Sequence, residues 1–224
     1  MPKKRFSAII LDHSGTISND FVVFICAMNK ALAATGAQAI TPEEIRTSTT
    51  PTFGDFFAKK GVTDYPALQR MYRDFLEAGD LPTPIPGAIE AVKALAKTVV
   101  VGVLSAHPHE LVLQDLERYG LLGRVIKPEF VMGGERKAYR VGIETLITRM
   151  DVLRESILGV GDTVGDFELA NKVGIASALV LHPGYGYADR EVVAQLSVQP
   201  SHGVHQDLAS VAEMVRRSFL YKIT

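Results

Sequence analysis

The stretch Ile9-Ile10-Leu11-Asp12-His13-Ser14-Gly15-Thr16-Ile17 constrains the fold more than any other part of the chain. An apolar run stops abruptly at an acid, and a small, flexible Gly15-Thr16 step follows. A buried parallel strand is apolar on both faces, and it ends this way when it delivers a carboxylate to the rim of a sheet. In α/β proteins that rim, at the carboxyl ends of the strands, is where ligands bind. Asp12 is therefore the first candidate for chemistry. Aspartate also caps turns and helices, and this stretch alone does not choose between the two.

Downstream, helical spacing of Phe21, Phe24, Ile25, Met28 and Leu32 predicts a helix over 19–35, stopped by Gly36. Thr41-Pro42-Glu43-Glu44 reads as a capping box with proline at the first helical position, opening a short helix to 47. After a polar loop over 47–52, helices are predicted over 53–60 and 65–78, the second with Leu68, Met71, Tyr72, Phe75 and Leu76 on its apolar side. Residues 79–87 are dense in Gly and Pro and read as a hinge. Residues 18–83 thus form an all-helical insertion, and 1–17 with 84–224 form the body.

In the body, helices over 88–97, 110–119, 137–150, 167–173, 189–196 and 208–219 alternate with strands over 99–104, within 125–132, and over 157–161 and 175–181. Pro128 marks its strand as an edge. Repeated βα units predict an α/β fold: a doubly wound parallel sheet with helices on both faces.

Composition narrows the function. A net charge of −1 gives no basic field for nucleic acid or a membrane surface. No window approaches a membrane span. The apolar run behind Lys3-Lys4-Arg5 is broken by Asp12, too soon for a secretion signal, so a cytoplasmic protein is expected. The single cysteine, Cys26, sits in an apolar helical run and reads as a buried, inert thiol.

Three strands end in residues suited to phosphate chemistry: Asp12, Ser105 and Asp162, with Asp166 four positions further on. A parallel sheet brings all of them to one edge. Converging carboxylates repel one another and need a cation, and hard oxygen ligands with a partly open site suit Mg²⁺.

With Lys137 added, the order and spacing of these motifs resemble the haloacid dehalogenase superfamily, in its phosphoglycolate-phosphatase-like branch with a small helical cap after strand one. The matching stretches are Ile9-Ile10-Leu11-Asp12-x-Ser14-Gly15-Thr16, Val103-Leu104-Ser105, Lys137 and Gly161-Asp162-Thr163-x-x-Asp166. The resemblance implies a Rossmann-like core with an inserted cap domain over 18–83, acting as monomer or homodimer on a small phosphorylated metabolite. Asp12 would be the nucleophile, forming an aspartyl-phosphate. Ser105 and Ala106, with the loop His13, Ser14, Gly15 and Thr16, would bind the phosphoryl group, and Lys137 would neutralise its charge. Asp162, Asp12 and the main-chain carbonyl of Ser14 would hold Mg²⁺, and Asp166 would support the metal or orient Lys137. Plainer readings stand beside these. Ser105 ends a strand, Lys137 lies between Arg136 and Arg140 and is followed by Ala138 where the family usually has proline, and Asp162 and Asp166 precede a helix that acids favour.

One departure from the family pattern matters. Most of its phosphatases carry a second aspartate two residues after the nucleophile, which protonates the leaving oxygen and then activates water. Here that position is Ser14. A hydroxyl is no carboxylic acid, and general acid–base catalysis typically contributes ~10²–10⁴-fold. Alternation along an extended segment sends His13 away from Asp12, while His107, His109 and His182 lie close after strand ends. Three readings follow: a phosphatase favouring good leaving groups such as acyl phosphates, a phosphonoacetaldehyde-hydrolase-like C–P cleaving enzyme, and a phospho-ligand-binding protein with vestigial turnover. The second uses a cap lysine, and Lys59 and Lys60 look like an exposed helix end. The loop 47–53 and the hinge 82–87 are the candidates for substrate contact and motion.

Overall fold

The computed structural model describes residues 6–47, 53–77, 81–134, 140–187, 193–194 and 198–220. Strand β1 (Ala8–Asp12) is buried at every position. Its alternating side chains feed two different layers. Ile9 and Leu11 pack with Val92, Leu116 and Val211 on one side of the sheet. Ala8 and Ile10 pack with Leu146, Leu169 and Val173 on the other. Burial on both faces is what the uninterrupted apolar run requires.

The body contains β4 (Val100–Leu104), β5 (Val131–Met132), β6 (Ile157–Gly161), β7 (Ala176–Val180) and β8 (Val204–His205), all parallel to their neighbours. The sheet order is β5-β4-β1-β6-β7-β8. Helices α5 (Ala88–Leu95), α6 (His109–Arg118) and α9 (Leu208–Leu220) cover one face, and α7 (Arg140–Met150) and α8 (Val164–Val173) the other. This is the doubly wound sheet expected from the sequence. The chain moves outward from β1 to β4 and β5, then returns to the far side of β1 for β6. The order therefore reverses between β1 and β6, and the crevice at such a switch point is where open sheets bind ligands. Register pairs Asp12 with Leu104 and Leu11 with Val160, so residues 12, 105 and 162 leave the sheet at nearly one level.

Between β1 and α5 lie α1 (Phe21–Thr35), α2 (Pro42–Arg46), α3 (Phe53–Lys59) and α4 (Tyr65–Glu77). They share an apolar cluster around Phe24, Met28, Leu32, Phe57 and Leu68, which Tyr187 of the body joins. The Thr41 capping box forms as read: the Thr41 N–H donates to Glu44 Oε2 at 2.9 Å and the Glu44 N–H to Thr41 Oγ1 at 3.2 Å. The chain enters and leaves this insertion through β2 (Ser18–Asn19) and β3 (Thr83–Pro84), an antiparallel pair. Tyr119 clamps the pair, its hydroxyl 2.9 Å from Ser18 Oγ and donating to the Pro82 carbonyl at 3.1 Å. Among the described residues no helix is long and apolar enough to cross a membrane.

Several expectations need correction. The strand placed within 125–132 is only Val131–Met132, because Pro128 opens a 3₁₀ turn over Pro128–Phe130, though β5 is an edge as expected. Helix α8 starts before residue 167, because Thr163 caps it. Cys26 is exposed, not buried: it falls on the outer side of α1, off the stripe of Phe21, Phe24, Ile25, Met28 and Leu32 that faces inward. Lys60 is no free helix end, since it pairs with Glu44. The short β2, β3 and β8 went unread, being two residues each and without periodic signal. Lys137, the 48–52 loop and most of the 189–196 helix lie outside the described residues.

Candidate active site

The edge of the sheet at the switch point gathers acid. Asp12 and Asp162 are buried, and with Asp166 they each offer a carboxylate oxygen within 4.8 Å of the others. Two glycines make this crowding possible. Gly15 has φ +74°, and a Cβ there would sit 2.2 Å from Asp162 Oδ2. A Cβ at Gly161 would sit 2.3 Å from Asp166 Cγ. Side chains at either position would displace an acid, so both glycines are read here as space held for carboxylates. Asp166 is also the third residue of the α8 capping box, where its Oδ2 accepts from Thr163 N–H at 3.1 Å and Thr163 Oγ1 at 2.6 Å. The capping reading of Asp166 thus holds alongside its place in the cluster. The Tyr187 N–H donates to Asp162 Oδ2 and fixes that carboxylate from the far side.

This donor set fits a small divalent cation. Oxygens around an octahedral Mg²⁺ at ~2.1 Å lie roughly 3–4 Å apart, close to the spread of the cluster.

The other predicted residues that are described lie on the strand end at Ser105 and on the loop after β1. Ser105 is fully buried and its Oγ accepts the His107 N–H at 3.1 Å. Ala106 is exposed beside it. The loop after β1 is tightly wound: Gly15 N–H donates to the Ser18 carbonyl, and the N–H groups of Ile17 and Ser18 donate to the His13 carbonyl. Thr16 is buried, and its hydroxyl has no hydrogen-bond partner among the described residues. His13 is buried on the other side from Asp12, with Nε2 3.5 Å from Asp115 Oδ2 on α6.

A second polar cluster, unread in the sequence, fills the seam between the insertion and the body. Asp20 precedes α1 and is 1 % exposed. Its Oδ2 lies 3.1 Å from His107 Nε2, and its Oδ1 accepts the Tyr187 hydroxyl at 3.3 Å. The rings of His13 and Tyr72 stand edge-on to His107, each with centroids 6.3 Å away. Burial pushes the Asp20 carboxyl up, but contact with His107 and its charge, aided by His13 and the Ser14 hydroxyl, outweigh burial and hold it below the ordinary 3.8. Burial likewise pushes the His107 imidazole down, and Asp20, with Asp12 and Asp115, reverses that and raises it. Asp20 looks in sequence like an ordinary N-cap, and only the position of His107 two residues after Ser105 hinted at the pair.

Comparison with known proteins agrees with this architecture. The family model for haloacid dehalogenase-like hydrolases matches residues 9–180. A phosphoglycolate phosphatase of Xylella fastidiosa is 26% identical over 194 residues, with 82% of each chain covered. Among solved structures, a haloacid dehalogenase-like family hydrolase from Streptococcus pneumoniae superposes with a TM-score of 0.75 at 16% identity, covering 93% of this chain and 98% of that one. A family hydrolase from Deinococcus radiodurans, solved with bound phosphate and sodium, gives 0.71 at 17% identity, covering 97% and 98%. With more than half its length matched by the family model, the chain belongs to the haloacid dehalogenase-like hydrolases and is a phosphatase-like enzyme of that family.

Proposed function

We propose that this enzyme is a Mg²⁺-dependent phosphatase of small phosphorylated metabolites, working through an aspartyl-phosphate on Asp12. The observation that carries the reading is the meeting of Asp12, Asp162 and Asp166 at the switch point of the sheet, beside the buried Ser105 hydroxyl. In this reading Asp12, Asp162 and the Ser14 carbonyl hold the ion and Asp166 supports it. When bound, the ion offsets charge on the phosphoryl oxygens and on the converging carboxylates. Ser105 and the N–H groups of the 13–16 loop orient the phosphoryl group so that one Asp12 oxygen is in line with the bond to be broken. Lys137 supplies a further positive charge. Phosphoryl transfer needs chiefly this positioning and charge stabilisation. The 18–83 insertion serves as a cap that excludes water and selects the substrate.

Ser14 cannot protonate a leaving group, so acyl phosphates, which need little protonation, depend least on a proton donor elsewhere and are the substrates expected to turn over fastest. The relatives carry the name phosphoglycolate phosphatase, and 2-phosphoglycolate, a small ester, belongs in any substrate screen. C–P cleavage through a cap Schiff base is less favoured, because Lys60 is ion-paired with Glu44. The test is phosphate release from acetyl phosphate, p-nitrophenyl phosphate, 2-phosphoglycolate and phosphonoacetaldehyde, with Mg²⁺ and with chelator. Mg²⁺-dependent release, fastest from acetyl phosphate and abolished in Asp12→Asn, is expected. Activity that survives Asp12→Asn would sink the reading.

A further inference from the structure

The Asp20–His107 pair has no task in the function just proposed, yet two features set it apart from packing. Asp20 is the N-cap residue of α1, but its side chain makes no cap hydrogen bond. Aspartate at that position ordinarily accepts from the first backbone N–H groups of the helix. The carboxylate is turned instead to His107 Nε2 and the Tyr187 hydroxyl. His107, in turn, is pinned to the phosphate-binding edge. Its N–H bonds Ser105 Oγ, and its carbonyl accepts the Gly134 N–H. Gly133 packs so closely that a Cβ there would lie 2.8 Å from that carbonyl oxygen. The imidazole therefore hangs from the turn that carries Ser105, within reach of the Asp12 charge, while a residue of the insertion aims it.

We infer that His107 is the general acid and base of this enzyme, doing the proton transfer for which Ser14 has no carboxyl, and that Asp20 is the residue that positions its ring. The inference rests on the phosphatase reading above. With Nε2 directed at Asp20, Nδ1 exchanges the proton. In the first step an Asp12 oxygen bonds to phosphorus and the ester O–P bond breaks. The electron pair goes to the leaving oxygen, which takes the imidazolium proton and departs as an alcohol. In the second step water attacks phosphorus and gives a proton to the neutral imidazole. The Asp12 O–P bond breaks, returning carboxylate, imidazolium and phosphate. Ester and water give alcohol and phosphate, and no other reactant is needed.

The groups around the ring suit this role. Asp20 from the start of α1, Asp12 from β1 and Asp115 from α6 favour the imidazolium, and burial opposes it, while the rings of His13 and Tyr72 stand edge-on to it. The outcome is an imidazole raised above its ordinary value, the direction that favours a proton donor.

The test is a leaving-group series on His107→Gln, whose amide still reaches Asp20. Acetyl phosphate, p-nitrophenyl phosphate and glycerol 2-phosphate are compared on one preparation, so the folded fraction cancels. Loss of the acid predicts a fall of ~10²-fold or more in kcat on glycerol 2-phosphate. The falls on acetyl phosphate and p-nitrophenyl phosphate are at least ~10-fold smaller. Ser14→Asp in the His107→Gln background recovers ~10-fold or more on glycerol 2-phosphate, and adds little to the wild type, where the proton is already supplied. Asp20→Asn lowers kcat on the alkyl ester without raising KM, and adds nothing once His107 is Gln. An equal loss on all three substrates, total loss included, overturns the inference while leaving the Asp12 reading intact. A wild type inactive on every phosphate ester and anhydride overturns both.

Discussion

The carboxyl edge of the sheet and the seam beneath the insertion use the same residue type to opposite ends. At the edge, Asp12, Asp162 and Asp166 converge, each offering a carboxylate oxygen within 4.8 Å of the others. At the seam, Asp20 meets His107, and each holds the other in its charged form. The first arrangement brings three acids of one sign together, a donor set that suits a small divalent cation. The second carries its own counter-ion and is complete in the folded chain. Acids gathered on one another are arranged for a cation, and an acid set against a histidine is arranged to orient that ring.

The largest effects separate the two regions by activity. Asp12→Asn is expected to lower turnover on the order of 10⁴-fold or more, since no other group stands in for a nucleophile. Chelation should do the same to the wild type, reversibly on adding Mg²⁺. Full activity in chelator would mean that the edge acids are not a cation site and would dissolve the contrast.

Stability should then separate them in the opposite sense. Removing one partner of a buried pair strands the other, so Asp20→Ala is expected to lose ~3–5 kcal/mol. Asp12→Asn removes repulsion between neighbouring carboxylates and is expected to leave stability unchanged or raise it by ~1 kcal/mol in chelator, as functional residues often do when neutralised. Urea unfolding of both variants measures this. A destabilised Asp12→Asn would show that repulsion among the edge acids is outweighed by the other contacts of Asp12.

These regions also differ in how far the sequence announced them. The edge was legible because each of its acids ends or follows a strand, and a strand end is a local feature: Ile9-Ile10-Leu11 leads to Asp12 and Ile157 to Gly161 leads to Asp162. A parallel sheet does the rest by aligning strand ends. The seam was not legible because Asp20, His107, Tyr72 and Tyr187 come from four separate stretches that no periodicity connects. Asp20 carried the disguise of a helix cap. Tyr187 belongs by sequence to the body but packs against Phe21 and Phe24 of the insertion, with ring centroids 4.8 and 5.6 Å away. The exposed Cys26 is an error of another kind, since an apolar run was read as buried on all sides when only its inward stripe is.

The pH dependence of stability sharpens the contrast further. The Asp20 carboxyl is held below its ordinary 3.8, so its contribution is present above that value and is lost as pH falls through the lowered one. The His107 imidazole is raised above 6.5, so its contribution is complete below 6.5 and is lost as pH rises through the raised value. The advantage of wild type over Asp20→Asn is therefore greatest between these limits. Urea midpoints in chelator at about pH 5.5 and about pH 8.5 should show it shrinking on the alkaline side. An advantage that grows there would mean that His107 is neutral throughout.

Tyr187 offers the finest probe, because it touches both regions through different atoms. Its backbone N–H holds Asp162 at the edge, and its hydroxyl donates to Asp20 at the seam. Tyr187→Phe keeps the first bond and removes only the second, leaving the ring packing on Phe21 and Phe24 in place. The lost bond goes to a charged acceptor but is long at 3.3 Å, so a loss of about 1 kcal/mol is expected. Mg²⁺ affinity, read by titrating the ion back into chelated enzyme, should not change, while kcat on an alkyl ester should fall modestly as Asp20 loses one of its two constraints. A change in Mg²⁺ affinity of the same size as the change in stability would show that the edge and the seam are one coupled network through this residue, and that the two kinds of acid are not independent.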